Sequence, residues 1–363
     1  MLARMLTIVC LAAVMLFPGP VAAQGDSSFI GLGFLPGGWD SSASAVSGDG
    51  STVVGRSSSS NGVEAFRWRA ATGMQGLGDF AGGPFASEAT AVSFDGNAVA
   101  GYGTASPPPG CEWFCLANRA FRWTPNGGLK KLINDHSFAD AISGAGGVVV
   151  GSAVDGAFRW SGNGPNGLQY VDPLPGDAIA QARAISADAT VICGTSLSTV
   201  YRPVRWVGGP VPALITDAPG FAEAISNDGT TIVGGAFDGL RHRAYRWTED
   251  AELVWLPDLV KGRIESHARA VSGDGSVIIG TAASSVTEYT VFIWDAEHGM
   301  RDLREVLEGV YGLDLTGWTL GAATGIAADG RTIVGYGSSP EGLLEAWLAR
   351  LGTPRDQRPQ LRR

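Results

Sequence analysis

A short pattern recurs seven times along this chain, and a repeat of that length decides the architecture before any single residue does. The first copy reads AVSGDGSTVVG over 45–55, followed by AFRW over 65–68. The next copies are AVSFDGNAVAG (91–101), AISGAGGVVVG (141–151), AISADATVICG (184–194) and AISNDGTTIVG (224–234). AVSGDGSVIIG (270–280) and GIAADGRTIVG (325–335) complete the set. With 53 glycines among 363 residues and only 17% charged side chains, the chain suits short strands and tight turns better than helices.

One copy reads as four strands, a to d. The small apolar run over 43–47 is strand a, and the β-branched run Thr52-Val53-Val54 is strand b. Asp49-Gly50 between them predicts a two-residue type I′ turn, in which both central residues take positive φ. Glu64-Ala65-Phe66-Arg67-Trp68 is strand c, with Phe and Trp two apart and therefore on one face. Thr72-Gly73 turns the chain into strand d, 74–78. A four-stranded meander repeated seven times predicts an all-β fold, a seven-bladed β-propeller.

The ends of the pattern predict closure. The stretch 29–35 resembles a strand d without a preceding copy, whereas the last copy stops after its strand c, at Leu351. Pairing 29–35 with 345–351 would complete the last blade and leave no open edge. The tryptophans of strand c (Trp68, Trp123, Trp160, Trp206, Trp247 and Trp294) recur at one place per copy, so they are expected as wedges between blades. Ala189 stands where five other copies with this turn have glycine after aspartate, and the fourth turn is expected to differ in type.

Residues 1–23 read as a cleaved signal peptide, with Arg4, an apolar stretch over 5–17 and the small-residue site Val21-Ala22-Ala23. Residues 24–351 are then one propeller domain, and 352–363 a disordered basic tail with Arg355, Arg358, Arg362 and Arg363. No other segment reads as a transmembrane anchor, so the expected location is secreted or periplasmic. The formal net charge is −9, and the absence of a basic patch outside the tail argues against a nucleic-acid partner. Cys111 and Cys115 flank Glu-Trp-Phe, and export favours a disulfide between them. Such a pair could also ligate a metal, but no histidine lies nearby in sequence, and neither a metal nor a cofactor is expected.

No nucleophile elbow, zinc-protease, phosphate-loop or EF-hand motif is present in the sequence. The aspartates Asp49, Asp95, Asp188, Asp228, Asp274 and Asp329 offer one carboxylate per turn, which suits turn formation and not calcium binding. The strand-c arginines Arg67, Arg122, Arg159, Arg205 and Arg246 are expected to pair with turn aspartates or backbone carbonyls. Loops d–a and b–c share one face of a propeller. Candidate ligand contacts on that face are Trp39, Asp40, Phe85, Glu88, Trp113, His136, Arg263, His267 and Trp318.

The set A-[VI]-S-x-D-G-x-x-[VI]-[VI]-G, A-F-R-W and G-[LM]-x-x-L-G resembles the HAF family of extracellular repeats over nearly all of 29–351. The end of the chain, LTGWTLGAATGIAADGRTIVGYG (315–337) followed by EAWLARL (345–351), is also similar to that family. The resemblance implies a secreted bacterial protein, a propeller-like fold and no established biochemical activity. The expected function is a monomeric, non-enzymatic scaffold for an extracellular protein or glycan. The alternative is a propeller enzyme, a hydrolase or lyase acting on extracellular glycan.

Overall fold

The computed structural model describes residues 27–106, 118–162, 167–259, 265–283 and 289–354. They form seven antiparallel sheets of four strands each. β1 (Ser28–Gly31) stands apart from the strands that follow it. β2 (Ser41–Val46), β3 (Thr52–Ser59), β4 (Gly62–Arg69) and β5 (Gly73–Gly76) make blade 1 in the order a-b-c-d. Blades 2 to 6 repeat that order over 87–131, 137–171, 179–214, 220–255 and 266–302. Blade 7 takes strands Thr319–Ile326, Thr332–Ser338 and Leu344–Arg350 from the far end of the chain, and β1 is its fourth strand. Ser28 faces Arg350, Phe29 faces Ala349, and the Leu32 N–H donates to the Ala346 carbonyl at 2.8 Å. The fold is a seven-bladed β-propeller, closed by its two ends as the repeat predicts.

The turn between strands a and b is wider than the two-residue loop expected from Asp-Gly. In blade 1, Ser47 and Thr52 pair through Ser47 N–H to the Thr52 carbonyl (2.8 Å), so four residues span the loop. The Gly50 N–H donates back to the Ser47 carbonyl (2.9 Å), and only Gly50 takes positive φ, +69°. This is a type I-like turn followed by one left-handed residue. Side chains fix it. Ser47 Oγ donates to Asp49 Oδ1 (2.5 Å) and accepts from the Thr52 N–H (3.0 Å), while Asp49 Oδ1 also accepts from the Ser51 N–H (2.9 Å). The same network recurs at Ser93/Asp95, Ser186/Asp188, Ser226/Asp228 and Ser272/Asp274. These aspartates are turn formers. The fourth turn does not change type either. Ala189 adopts the left-handed conformation (φ 65°) with its N–H on the Ser186 carbonyl (3.0 Å), because Asp188 and Ser186 already hold the loop.

Neighbouring blades are sewn together at two levels. Apolar residues from consecutive sheets merge into seven clusters, one per seam. Phe158 of blade 3, for example, packs with Ala98, Ala100 and Ala120 of blade 2. Phe66, Phe121, Phe158, Tyr245 and Phe292 are all fully buried. The tryptophans two residues later are less uniform than expected. Trp68, Trp206 and Trp247 are buried, whereas Trp123, Trp160 and Trp294 are only half-buried against their clusters. The Phe/Tyr position is thus the deeper wedge. Cys193 fills the seam of blades 4 and 5 as a free buried thiol, its pKa pushed up by burial. The insertion before blade 7 folds as α1 (Leu303–Glu305) running into a π-turn, Val306–Val310. It buries Leu303, Val306 and Leu307 in the last seam.

At the axis a belt of backbone hydrogen bonds joins the seams. The residue after the turn serine donates its N–H to the carbonyl of its counterpart in the next blade. Phe94 donates to Gly144 (2.9 Å), Gly144 to Ala187 (3.0 Å), Ala187 to Asn227 (2.9 Å) and Asn227 to Gly273 (2.9 Å). Gly273 then donates to Ala328 (3.0 Å), Ala328 to Gly48 (3.0 Å), and Asp49 closes the belt onto Phe94 (3.0 Å).

Candidate functional site

Above this belt the innermost strands carry side chains in layers around the channel. Val46, Val92, Ile142, Ile185, Ile225, Val271 and Ile326 form an apolar ring that, with the belt, encloses about 170 Å³. One step further toward the loops d–a and b–c, every strand a is interrupted by a β-bulge. The register skips one residue between Ala43 and Ala45, Ala89 and Ala91, Ala139 and Ala141, and Ala182 and Ala184. It does so again between Ala222 and Ala224, Ala268 and Ala270, and Ala323 and Gly325. A bulged residue has no ladder partner, and its side chain is re-aimed. The seven are Ser44, Thr90, Asp140, Arg183, Glu223, Arg269 and Thr324.

These residues reach across the seams toward the neighbouring innermost strand. Thr90 Oγ1 donates to the Ala139 carbonyl (2.7 Å), and Thr324 Oγ1 to the Ala43 carbonyl (2.8 Å). Each carbonyl precedes a bulge. Blades 3 to 6 instead present charges of alternating sign. Arg183 Nη1 lies 3.9 Å from Asp140 Oδ1, and Arg183 Nη2 donates to Gln181 Oε1 (3.2 Å). The Asp140 carboxyl is pushed up to about 7, first by burial, which Arg183 opposes and Glu223 reinforces. Arg269 is exposed to the channel.

The next layer is the mouth. Glu88 Oε2 accepts from the Tyr102 hydroxyl (2.8 Å) and lies 3.9 Å from Arg56 Nε. Burial and the Glu88 charge raise the Tyr102 phenol, so it remains a donor. Tyr102 and His136 both meet Phe138 edge-on, with centroids 4.7 and 4.9 Å apart. His267 stacks on His242 at 5.7 Å. Burial lowers the pKa of both His136 and His267, with Arg119 adding to the first and Arg269 to the second. Both rings are therefore neutral at pH 7. Among the described residues, His136 Nδ1 and His242 Nδ1 are buried without a hydrogen-bond partner.

Of the nine residues expected on this face, Glu88, His136 and His267 reach the mouth. Trp39 is 66% exposed in the loop before β2, and its N–H donates to Ser58 Oγ (2.8 Å). Asp40 next to it uses its backbone: its carbonyl accepts the Ser58 N–H (3.0 Å). Phe85 lies against the b–c turn of blade 1 at Gly62. Trp318 is a packing residue, edge-on to Phe29 at 5.2 Å in the last seam, and not a free ligand platform. Trp113, Arg263 and the expected Cys111–Cys115 disulfide lie outside the described residues. The bulge ring was missed as a site, although the sequence marks it: in six copies it is the variable letter in A-x-A-[VI]-S, and the seventh reads Ala-Thr-Gly-Ile-Ala over 323–327.

No protein-family model matches the chain, and no curated protein matches it. Solved structures do. The chain is similar to one in a crystal structure of the Mitotic Checkpoint Complex, at 12% identity, covering 93% of this chain and 99% of that one, TM-score 0.52. It is likewise similar to the Dos1 propeller, at 11% identity, covering 90% of this chain and 94% of that one, TM-score 0.50. At such identities the likeness concerns the fold alone. Among the described residues, no helix is long and apolar enough to cross a membrane.

Proposed function

We propose that the protein is an exported bacterial binding scaffold that receives an extracellular protein segment or glycan at its channel mouth. The bulge ring carries this reading. One backbone position recurs in all seven blades, flanked by small residues, yet holds Ser, Thr, Asp, Arg, Glu, Arg and Thr in turn. A position needed only for folding would repeat with the fold. Alternating charges give a ring of donors and acceptors with little net charge, which suits a hydroxyl- or amide-rich ligand better than a polyanion. Export is supported by the leader pattern of 1–23, and a bacterial extracellular setting by the similarity to HAF repeats.

The test is binding to a glycan array and to synthetic peptides, with wild type beside Glu223→Gln and Arg269→Met. Binding lost in both variants at unchanged melting temperature supports the scaffold. Binding unaffected by either substitution removes the channel from the reading. The enzymatic alternative rests on Asp140: its carboxyl, pushed up to about 7 on the ring that also carries Glu223, is suited to donate a proton near neutral pH. Glycan turnover that disappears in Asp140→Asn would decide for the hydrolase or lyase.

A further inference from the structure

The opposite face, where the a–b and c–d turns lie, carries a second site at the seam of blades 3 and 4. A cleft of about 540 Å³ opens there between the outer strands. That volume lies in the range of small-ligand sites, about 300–1,000 Å³. Val171, Ile192 and Trp206 give it an apolar floor, and Arg159, Gln169 and Tyr170 line one side.

Two departures from the repeat meet in this cleft. The first is Arg159. Its counterparts are satisfied within the protein. Arg67 Nε donates to the Gly96 carbonyl of the next blade (3.1 Å), and its guanidinium lies 5.7 Å from the Trp123 ring. Arg122 Nε donates to the Gly146 carbonyl (2.6 Å). Arg205 lies over Trp247 at 4.6 Å and pairs with Glu249 (3.2 Å), and Arg246 Nη2 donates to Thr231 Oγ1 (3.2 Å). Arg159 alone of the five has no such partner among the described residues, and its guanidinium faces the cleft. The second departure is Ala189 on the cleft wall, held at φ 65° where the other described turns of this kind have glycine. Both departures line the same cleft.

The walls are otherwise fixed. The Trp206 indole N–H donates to the Asp172 carbonyl (2.9 Å), the Asp172 N–H to Pro210 (2.9 Å) and the Gly208 N–H to Thr190 (3.0 Å). Gly208 and Gly209 face open space, since nothing lies within 4 Å of a Cβ built on either.

We propose that this cleft binds a small saccharide bearing one carboxylate, of the uronic-acid class. The guanidinium supplies a planar two-pronged donor that matches a carboxylate. One cation balances one negative charge, and the surrounding chain is acidic, which disfavours a dianionic phosphate ester. The Gln169 amide offers a sugar's hydroxyls a partner, and the floor of Val171, Ile192 and Trp206 meets its apolar face. This site is independent of the channel reading, because it lies on the other face and uses none of the channel's residues.

Calorimetric titration with galacturonate, its methyl ester and a hexose phosphate tests it, on wild type, Arg159→Met, Gly209→Trp and the channel variant Arg269→Met. Gly209 is the clean blocking position, because its φ is not positive and its Cβ direction is empty. Saturable binding of the free acid is expected, weakened about tenfold or more by Arg159→Met, the scale of one charge-assisted bond pair. Gly209→Trp should abolish it and Arg269→Met should leave it unchanged. The ester should bind more weakly than the acid to wild type and equally to Arg159→Met. The proposal is overturned by any of three results: no saturation up to about 10 mM acid, which means binding weaker than about −2.7 kcal/mol; equal binding of the acid by wild type and either cleft variant; or preference for the phosphate.

Discussion

Ala189→Gly should stabilise the protein, whereas the reverse exchange at an equivalent turn should destabilise it. Ala189 sits at φ 65°, against +70° for Gly146 and +75° for Gly229 at the same turn position. A left-handed L-residue costs about 1–2 kcal/mol, and glycine there returns about 0.4–1 kcal/mol through the freer unfolded chain. Loss of the partly buried methyl, which packs beside Val148 in the seam cluster, takes away a few tenths more. The net expectation for Ala189→Gly is a gain of about 0.5 kcal/mol. At Gly146 both terms reverse, and a Cβ would lie 2.6 Å from the Ala98 Cβ of the preceding blade, so the seam must shift. Gly146→Ala should therefore lose at least about 2 kcal/mol from conformation and overpacking together. A domain of this length has an unfolding entropy of about 0.7 kcal/mol/K, so 1 kcal/mol moves the melting temperature by about 1.5 °C. Urea midpoints and calorimetric melting of both variants, side by side, measure the two signs. A loss of stability in Ala189→Gly, or a neutral Gly146→Ala, would refute the account of these turns.

Phe158→Ala should cost about 3–5 kcal/mol and Trp160→Ala clearly less, because Phe158 is fully buried and Trp160 is not; denaturant midpoints rank them. Removing 27–32 strips blade 7 of its fourth strand, and should lower the melting temperature and produce dimers on gel filtration through the bared edge of Leu344–Arg350. Asp140 has a pKa raised in the folded state, so the unfolded chain binds fewer protons between about pH 4 and pH 7. The stability this carboxyl contributes below pH 4 is lost as pH rises through 7; Asp140→Asn should flatten that slope in urea titrations at pH 5 and pH 8. The Asp95 carboxyl, held at about 2 by Ser93 and Asn97, acts with the opposite sign: its contribution is lost as pH falls below 4, and Asp95→Asn should lessen acid sensitivity measured the same way.

The blade count, the strand order and the closing strand were legible because they follow from periodicity and turn chemistry, which are local. The a–b turn was misjudged for a local reason too. Asp49-Gly50 looks like a two-residue loop until Ser47 is seen to bond both Asp49 and the Thr52 N–H, which widens it to four. The channel ring was hidden because a bulge is a backbone event. Ala-Asp-Ala in blade 3 reads as an alternating strand, and only the skipped register between Ala139 and Ala141 turns Asp140 to the axis. Trp318 was placed on the open face, since sequence spacing does not show that the preceding insertion packs its ring against Phe29. The partnerless guanidinium of Arg159 was invisible for a similar reason: five like arginines look alike until their acceptors are known.

The pairing of β1 with Leu344–Arg350 also sets the order of events when the chain is made. The first strand synthesised must wait for the last before either has its partner, across a separation of more than 300 residues. Blades can form one after another on or behind the ribosome, but the ring stays an open arc until synthesis has delivered both halves of the clasp. Such long-range pairing is slow to find. An arc also flexes enough to be threaded, which a shut ring does not. Ser28 stands directly opposite Arg350, so a permuted chain that carries β1 directly after Arg350, with new ends between 32 and 40, turns the clasp into a hairpin. Its last refolding phase should be faster than that of the natural order.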